Sequence, residues 1–308
     1  MKVGVLAGGV SEEREISLLS GKQVYKALNE KSINVKFLDI KTSDHQKIKE
    51  IIQKAGIDVA FIALHGSFGE DGKVQAILEE IPLTYTGSGP KASALAMNKV
   101  AAKEKFNNSN IPTPSSLLFS AKNYNYNKIQ CPVVIKPCFS GSSFGVSIVS
   151  KNKDIGKSLA EAFKFSKLAM AEDYIEGKEL TVGILEEKPL AIVEIIPKEG
   201  YFDFNNKYIK GKSDFIAPAK LDKDLYWRIQ QVALKAHKAL GCRDFSRVDI
   251  RLKGDVPYVL EVNSIPGFTR QSLLPFSASV CGIDFYQLII TFLKSALARK
   301  KCNMKIKS

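Results

Sequence analysis

The chain lacks several features that would settle its class at once. No apolar stretch is long enough to span a bilayer. The longest candidate, Phe285 to Leu293, is interrupted by Gln287 and followed by Lys294, and it reads as an amphipathic helix packed on the body of the protein. No C-x-x-C pair occurs among the five cysteines (Cys131, Cys138, Cys242, Cys281 and Cys302), so neither a zinc knuckle nor a redox motif is indicated and free thiols in a reducing compartment are expected. Cys138 has no histidine nearby in sequence to activate it, which argues against a catalytic thiol. No G-x-G-x-x-G follows the first predicted strand and no G-K-[ST] follows any loop, which sets aside the dinucleotide and P-loop signatures. Internal repeats and low-complexity segments are missing too. The opening MKVGVLAGG has one Lys and a short apolar run ending in glycines, a strand feeding a turn rather than a secretory signal, so a cytoplasmic location is expected.

What is present is ordinary globular material. The 308 residues are 45% hydrophobic and 25% charged, enough for two or three domains that need neither disulfides nor a structural metal. A net charge of +13 permits nucleic-acid binding, but the lysines are scattered and the only dense cluster is the tail from Arg299 to Lys307. Basic clustering interleaved with aromatics is not seen, so neither a nucleic acid nor a membrane is expected as partner.

Strands alternate with helices at the N-terminus: Val3–Ala7, a helix from Ser11 to about Glu30, Val35–Leu38, a helix over Gln46–Ala55, and Val59–Leu64. That alternation predicts a parallel sheet covered on both faces, with ligands at the carboxyl ends of its strands, where Gly8-Gly9 and His65-Gly66 lie. The turn-rich segment Tyr85–Pro90 marks a first boundary. A helix from Lys91 to about Asn107 follows. Val133–Lys136 and Val146–Val149 flank the loop CFSGSSFG (138–145) and predict a hairpin, and Met170–Tyr174 is a further strand. From Thr181 the chain is strand-rich (TVGIL, LAIVEII, VDIRL, YVLEV), with helices over Leu225–Leu240 and Phe285–Leu297 expected to cover those strands.

Four constellations carry chemistry. Lys136 ends an apolar strand just before Gly141, Ser142, Ser143 and Gly145; such a loop can lay N–H groups against phosphates, or it can be no more than a mobile hairpin. Glu261 and Asn263 share a strand face by i, i+2 spacing, and Asp249 on the neighbouring strand can face them. Three oxygen donors without His or Cys suit Mg²⁺, and a salt-bridged sheet face is the alternative. Arg247 shares the Asp249 face and could hold an anionic reacting group, with Arg251 as the nearest decoy. Glu13 and His65 lie at the ends of first-domain strands, where a helix-dipole complement and a structural histidine are the plain readings.

The stretches GGVSEEREISLLSG (8–21), ALHGSFGEDG (63–72), YTGSGPKASALAMNK (85–99), VIKPCFSGSSFGVS (134–147), EDYIEGKELTVGIL (172–185), NNKYIKGKSDFIAPA (205–219), GCRDFSRVDIRL (241–252) and LEVNSIPGFTRQSLLP (260–275) resemble, in order, the D-alanine–D-alanine ligases of the ATP-grasp superfamily. The resemblance covers nearly the whole chain, and HG-x-x-GEDG together with E-x-N-x-x-PG-x-T is highly specific. It implies an α/β fold with a parallel-sheet N-terminal domain (1–90, carrying the first D-Ala side and a homodimer contact). Two α+β subdomains (91–180 with the glycine-rich lid, 181–308 with the metal and second D-Ala sites) would clasp ATP. It further implies two Mg²⁺ or Mn²⁺ ions on Asp249, Glu261 and Asn263. Lys99 and Lys136 resemble the phosphate contacts, and Glu172, Tyr174, Ile175 and Glu179 resemble the adenine and ribose contacts. Glu13 resembles the anchor of the first D-Ala amine, with His65 nearby; Arg247 and the Gly267 backbone resemble the stabilisers of the acyl phosphate and tetrahedral species. Ser142, Lys207, Tyr208, Ser272 and Leu273 resemble the second D-Ala pocket, and Tyr208 after Lys207 goes with the dipeptide rather than the D-lactate product. Two departures stand out: Phe139-Ser140 where family members often carry a charged pair, and Phe144 where a smaller aliphatic is usual.

Overall fold

The computed structural model describes residues 1–122, 125–198 and 211–306, with side chains through residue 299. The first sheet joins β1 (Val3–Gly8), β2 (Val35–Ile40), β3 (Val59–Ile62) and β4 (Thr84–Tyr85), all parallel, in the order β2-β1-β3-β4. β1 and β3 are buried along their whole length, as strands covered on both faces must be. The covering helices include α1 (Arg14–Asn29), α2 (His45–Ala55) and α3 (Lys73–Glu80). α2 is closed at both ends: the Asp44 carboxylate accepts the Lys47 N–H at 2.8 Å, and Gly56 takes the left-handed φ of 58° that stops the helix.

Two helices differ from expectation at their starts. α1 begins at Arg14 rather than Ser11, because the Ser11 hydroxyl donates to the His65 carbonyl (2.8 Å) and so fastens the end of β1 to the end of β3. The single helix predicted from Lys91 is two, α4 (Pro90–Met97) and α5 (Lys99–Asn108). Asn98 between them is extended (ψ 94°), and its side chain accepts the Ala101 N–H at 3.2 Å, capping α5. The break puts Lys99 in a first helical turn, where its N–H donates to the Cys138 carbonyl at 3.1 Å.

The second sheet is antiparallel, ordered β5-β8-β6-β7, from β5 (Ser116–Ser120), β6 (Val133–Pro137), β7 (Ser147–Val149) and β8 (Leu168–Asp173); α6 (Ile155–Phe163) backs it. The Gly/Ser loop joins β6 to β7 as a hairpin. The third sheet, ordered β11-β10-β9-β12-β13, is also antiparallel and comprises β9 (Lys178–Leu185), β10 (Lys188–Pro197), β11 (Ser213–Ile216), β12 (Phe245–Lys253) and β13 (Val256–Asn263). α7 (Lys223–Ala239) buries Ile229, Ala233 and Ala236 against it, and α8 (Leu273–Val280) lies along β9 and β10.

The last helix, α9 (Phe285–Ile306), corrects the sequence reading. Its buried face (Leu288, Ile289, Phe292, Leu293, Ala296) joins the core of the first sheet, with Val5, Phe61 and Ile62, instead of covering the third. Four fully buried phenylalanines make that joint: Phe61 of β3, Phe245 of β12, Phe268 beside Gly267, and Phe292 of α9. Phe245 lies 4.1 Å from Phe292 and 5.4 Å from Phe268, ring centre to ring centre, and Phe61 lies 5.2 Å from Phe268 edge-on. Beyond them the Arg299 guanidinium grips the Asp244 carboxylate and the Tyr85 carbonyl (2.7 Å), while Asp244 also accepts the Gly87 N–H (2.8 Å). No single helix among the described residues is long and apolar enough to cross a membrane.

Two expectations follow from the packing. Phe292→Ala should cost about 3–5 kcal/mol of stability, read from the shift of a urea unfolding curve, because the cavity opens where three segments meet; a cost below about 1 kcal/mol would dissociate α9 from the core. His237 of α7 is fully buried, and burial pushes its pKa down from 6.5 to about 4. A histidine kept neutral in the fold but free to charge when unfolded adds stability above its unfolded pKa, and that stability is lost as pH falls from about 6.5 toward 4. Replacing it in His237→Gln should flatten this part of the stability-versus-pH curve by up to about 3 kcal/mol; curves that stay parallel for the two proteins would refute the assignment.

Candidate active site

The site lies where the three sheets meet, and alternation along β12 and β13 builds its floor. Asp249 pairs in register with Glu261, and Arg247 with Asn263, so all four side chains fall on one face. The Arg247 guanidinium grips Asp249 two-handedly (Nε to Oδ1 2.9 Å, Nη2 to Oδ2 2.7 Å), and the Thr181 hydroxyl donates to Asp249 Oδ1 at 2.7 Å. Glu261 lies 3.2 Å from the Lys99 ammonium. Asn263 Oδ1 accepts the Ile265 N–H at 2.9 Å, which shapes the turn into the Pro266-Gly267 loop. Both readings of the sequence meet here: the face is ion-paired, and it carries all three oxygen-bearing side chains.

Asp249, Glu261 and Asn263 offer hard oxygen ligands on adjoining strands, and two carboxylates half-neutralised by Arg247 and Lys99 can exchange those partners for a metal. The donor set fits Mg²⁺ with remaining positions left to water or substrate oxygens. Among the described residues no cluster of three His, Cys, Asp or Glu side chains forms a closed site.

Lys99 divides two adjoining cavities. The first is lined by Glu13, His65, Ser142, Arg247, Asn263, Gly267, Ser272 and Leu273. The second is lined by Lys136, Glu172, Tyr174, Ile175, Glu179 and Asp249, with apolar walls from Val134, Val146, Ile148 and Leu260. Lys99, Ser140, Gly141 and Glu261 line both. The structure thus gathers every sequence-predicted residue it describes around one divided cleft; Lys207 and Tyr208 lie outside the described residues.

The lid closes the partition. The Ser142 hydroxyl donates to Glu13 Oε2 at 2.5 Å, and the Lys99 ammonium donates to the Ser140 carbonyl at 2.7 Å. A side chain at Gly141 would press on Glu13 Oε1 and displace that carboxylate from its bond with Ser142. Ser142 and Ser143 both take left-handed backbone (φ 48° and 60°), strain concentrated where the loop turns over the cleft. Phe144 stacks on Phe165 just beyond α6, ring centres 5.9 Å apart. In the first cavity His65 bridges Ser20 (Nε2 to Oγ 3.1 Å) and Glu70 (Nδ1 to Oε1 3.2 Å), and the Ser20 hydroxyl also accepts the Phe268 N–H at 3.2 Å. In the turn that leads into α8 the Ser272 hydroxyl accepts the Thr269 N–H at 3.1 Å.

In the second cavity Glu172 is buried between two ammoniums, Lys136 at 2.6 Å and Lys103 at 2.7 Å. Burial alone would raise the Glu172 pKa, but Lys136 and Lys103 outweigh it and hold the carboxyl below its usual range. Glu179 is paired with Arg251 at 3.0 Å, which gives the supposed decoy a place in the wall. The Cys138 thiol is buried and pushed up to about 11 by that burial, against the pull of Lys99 and Lys136, so it is no nucleophile. Sequence reasoning passed over Lys103, Glu70 and Thr181. Spacing held a signal for the first, since Lys103 is four residues past Lys99 and shares its helix face.

Comparison with known proteins identifies the family. The family model described as the D-ala D-ala ligase N-terminus matches residues 2–46 and 41–88, and that described as the D-ala D-ala ligase C-terminus matches residues 107–294. A D-alanine–D-alanine ligase from Geotalea uraniireducens is 42% identical over 299 residues, 96% of this chain and 95% of the relative. One from Clostridium beijerinckii is 40% identical over 303 residues, 96% of this chain and 99% of the relative. Among solved structures, the D-alanine–D-alanine ligase from Bacillus anthracis complexed with ATP superposes with a TM-score of 0.87 at 30% identity, covering 98% of this chain and 99% of that one. A D-Ala:D-Ser ligase from Enterococcus faecalis follows at 0.83 and 28%, covering 96% and 99%. The chain belongs to the D-alanine–D-alanine ligase family.

Proposed function

We propose that this enzyme uses ATP to join two D-alanines into D-alanyl-D-alanine, the dipeptide of peptidoglycan, through a D-alanyl phosphate. The observation that carries the proposal is the divided cleft: an apolar-walled cavity floored by Lys136 adjoins a polar one, with Lys99, Gly141 and Glu261 on the boundary. That is the arrangement needed to bring a γ-phosphate against a carboxylate.

In this reading adenine and ribose occupy the second cavity among Tyr174, Ile175, Glu172 and Glu179, and the phosphates run past Lys136 toward Lys99. The first D-alanine lies in the other cavity, its ammonium toward Glu13 and its carboxylate toward Arg247. Its carboxylate oxygen attacks the γ-phosphorus in line, and ADP leaves. Arg247 and the Gly267 backbone face the charge that develops on the acyl phosphate and then on the tetrahedral species. The amine of the second D-alanine, held near Ser142, Ser272, Leu273, Lys207 and Tyr208, attacks the acyl carbon, and phosphate departs. The lid excludes water from the labile acyl phosphate while Ser142 and Glu13 stay joined. Catalysis rests on positioning and charge, with no covalent enzyme nucleophile. Asp249, Glu261 and Asn263 would hold Mg²⁺ or Mn²⁺, two ions by family resemblance, supplying neutralisation of the phosphate charge.

Three units, residues 1–90, 91–180 and 181–308, are the proposed domains, supported by the three sheets. A cytoplasmic homodimer contacting through the first domain is proposed as well, on the family resemblance.

Phosphate release from ATP should be supported by D-alanine and not by L-alanine, with D-lactate and D-serine well below D-alanine near neutral pH. Preference for D-lactate would refute the dipeptide assignment. Glu261→Gln should lose about 100-fold or more in kcat with its thermal unfolding intact; near-parental turnover would take Glu261 out of the metal site.

A further inference from the structure

Lys103 lines neither cavity, yet it is one of the few buried lysines, 6% exposed, and it sits one helical turn beyond Lys99 on α5. Its ammonium donates to Thr113 Oγ1 at 3.0 Å and to Glu172 Oε1 at 2.7 Å. The other oxygen of the same carboxylate, Oε2, faces the Lys136 ammonium at 2.6 Å. One buried carboxylate is thus shared by two cations, with Lys103 behind the wall and Lys136 in front of it, inside the nucleotide cavity.

The arrangement decides where the charge of Lys136 points. A buried one-to-one pair of Lys136 and Glu172 would be neutral, and a polyanion entering the cavity would have to draw Lys136 away from a desolvated carboxylate. With Lys103 supplying a counter-charge from behind, the trio carries a net positive charge, and Lys136, its cavity-lining lysine, faces the ligand. Burial lowers the Lys103 pKa while Glu172 pulls it back, so the two groups sustain each other's ionisation.

We propose that Lys103 is a positioning residue for the nucleotide: it fixes Glu172 from behind the cavity wall and so leaves the Lys136 ammonium available to the phosphates. The proposal rests on the ATP-dependent reading above. A lysine that merely supported the fold would affect both substrates alike, whereas this one acts on ATP alone.

The test is equilibrium binding of ATP with Mg²⁺, by calorimetry on the full chain, beside steady-state constants for both substrates. Lys103→Met should raise the Kd and KM for ATP about tenfold or more, with kcat and the KM for D-alanine within about threefold of the parent. Lys103→Arg, which keeps the charge, should bring the ATP Kd to within about threefold of the parent. An ATP Kd within about twofold of the parent in Lys103→Met overturns the proposal, and so does an equal rise in both KM values. If Lys103→Met does not fold, Thr113→Val loosens the same ammonium with every charge retained and should raise the ATP Kd about threefold; no change there is equally fatal. A parent enzyme that binds ATP yet makes no dipeptide would overturn the proposed function and leave the Kd comparison standing.

Discussion

Charge neutralisation inside the cleft is the constraint on which the rest of the structure depends. Glu172, Asp249 and Glu261 are taken largely out of water, and each is matched by a cation: Lys136 with Lys103, Arg247, and Lys99 respectively. Removing one partner from such a pair leaves an uncompensated charge, which costs far more than the intact pair contributes. The pairs therefore dictate which segments must meet. Lys99 and Lys103 come from α5, Lys136 from β6, Glu172 from β8, and Asp249 and Glu261 from β12 and β13, so the second and third sheets cannot separate without stranding ions. These cleft groups leave a surplus of only one positive charge, little against a triphosphate with about four negative charges. Its counter-charge has to arrive with it, and the oxygen face of β12 and β13 is where a hard cation could be received.

The first sheet is joined by other means. The Phe61, Phe245, Phe268 and Phe292 cluster is wholly apolar, and it places Gly267, one residue before Phe268, over the end of β3. Ser20 then takes the Phe268 N–H and His65 takes Ser20, so the loop carrying Gly267 is set by the same packing that seats His65. Dispersion and burial fix the amino-acid side of the cleft, and ion pairs fix the nucleotide side.

Much of this was legible in the sequence, for reasons specific to each element. β1 and β3 are continuous apolar runs, and only buried parallel strands need those. VDIRL and YVLEVN alternate, and period-two spacing alone put Arg247, Asp249, Glu261 and Asn263 on one face. Asn98 was missed because both flanking segments favour helix and only the cap's backbone geometry reveals the break. α9 was assigned to the wrong sheet because an amphipathic pattern says that a face is buried and not against what. Lys103 went unnoticed because a lysine on a helix is ordinarily solvated; its meaning depends on Glu172, which lies 69 residues away in sequence and beside it in space.

The lid shows how the two halves of the site are coupled. Its polar side is tied to the amino-acid cavity through Ser142 and Glu13, and to the cavity boundary through Ser140 and Lys99. Its apolar side rests on the turn just beyond α6 through the Phe144–Phe165 stack, made by the residue that departs from the family's usual small aliphatic. The loop is held on both sides, and its left-handed serines carry local strain that those contacts hold in place. Glu13, from the turn between β1 and α1, meets Ser142 with the loop lying over the cleft. In the proposed reaction the same contacts would cover the nucleotide and complete the amino-acid pocket together, keeping water from the activated intermediate.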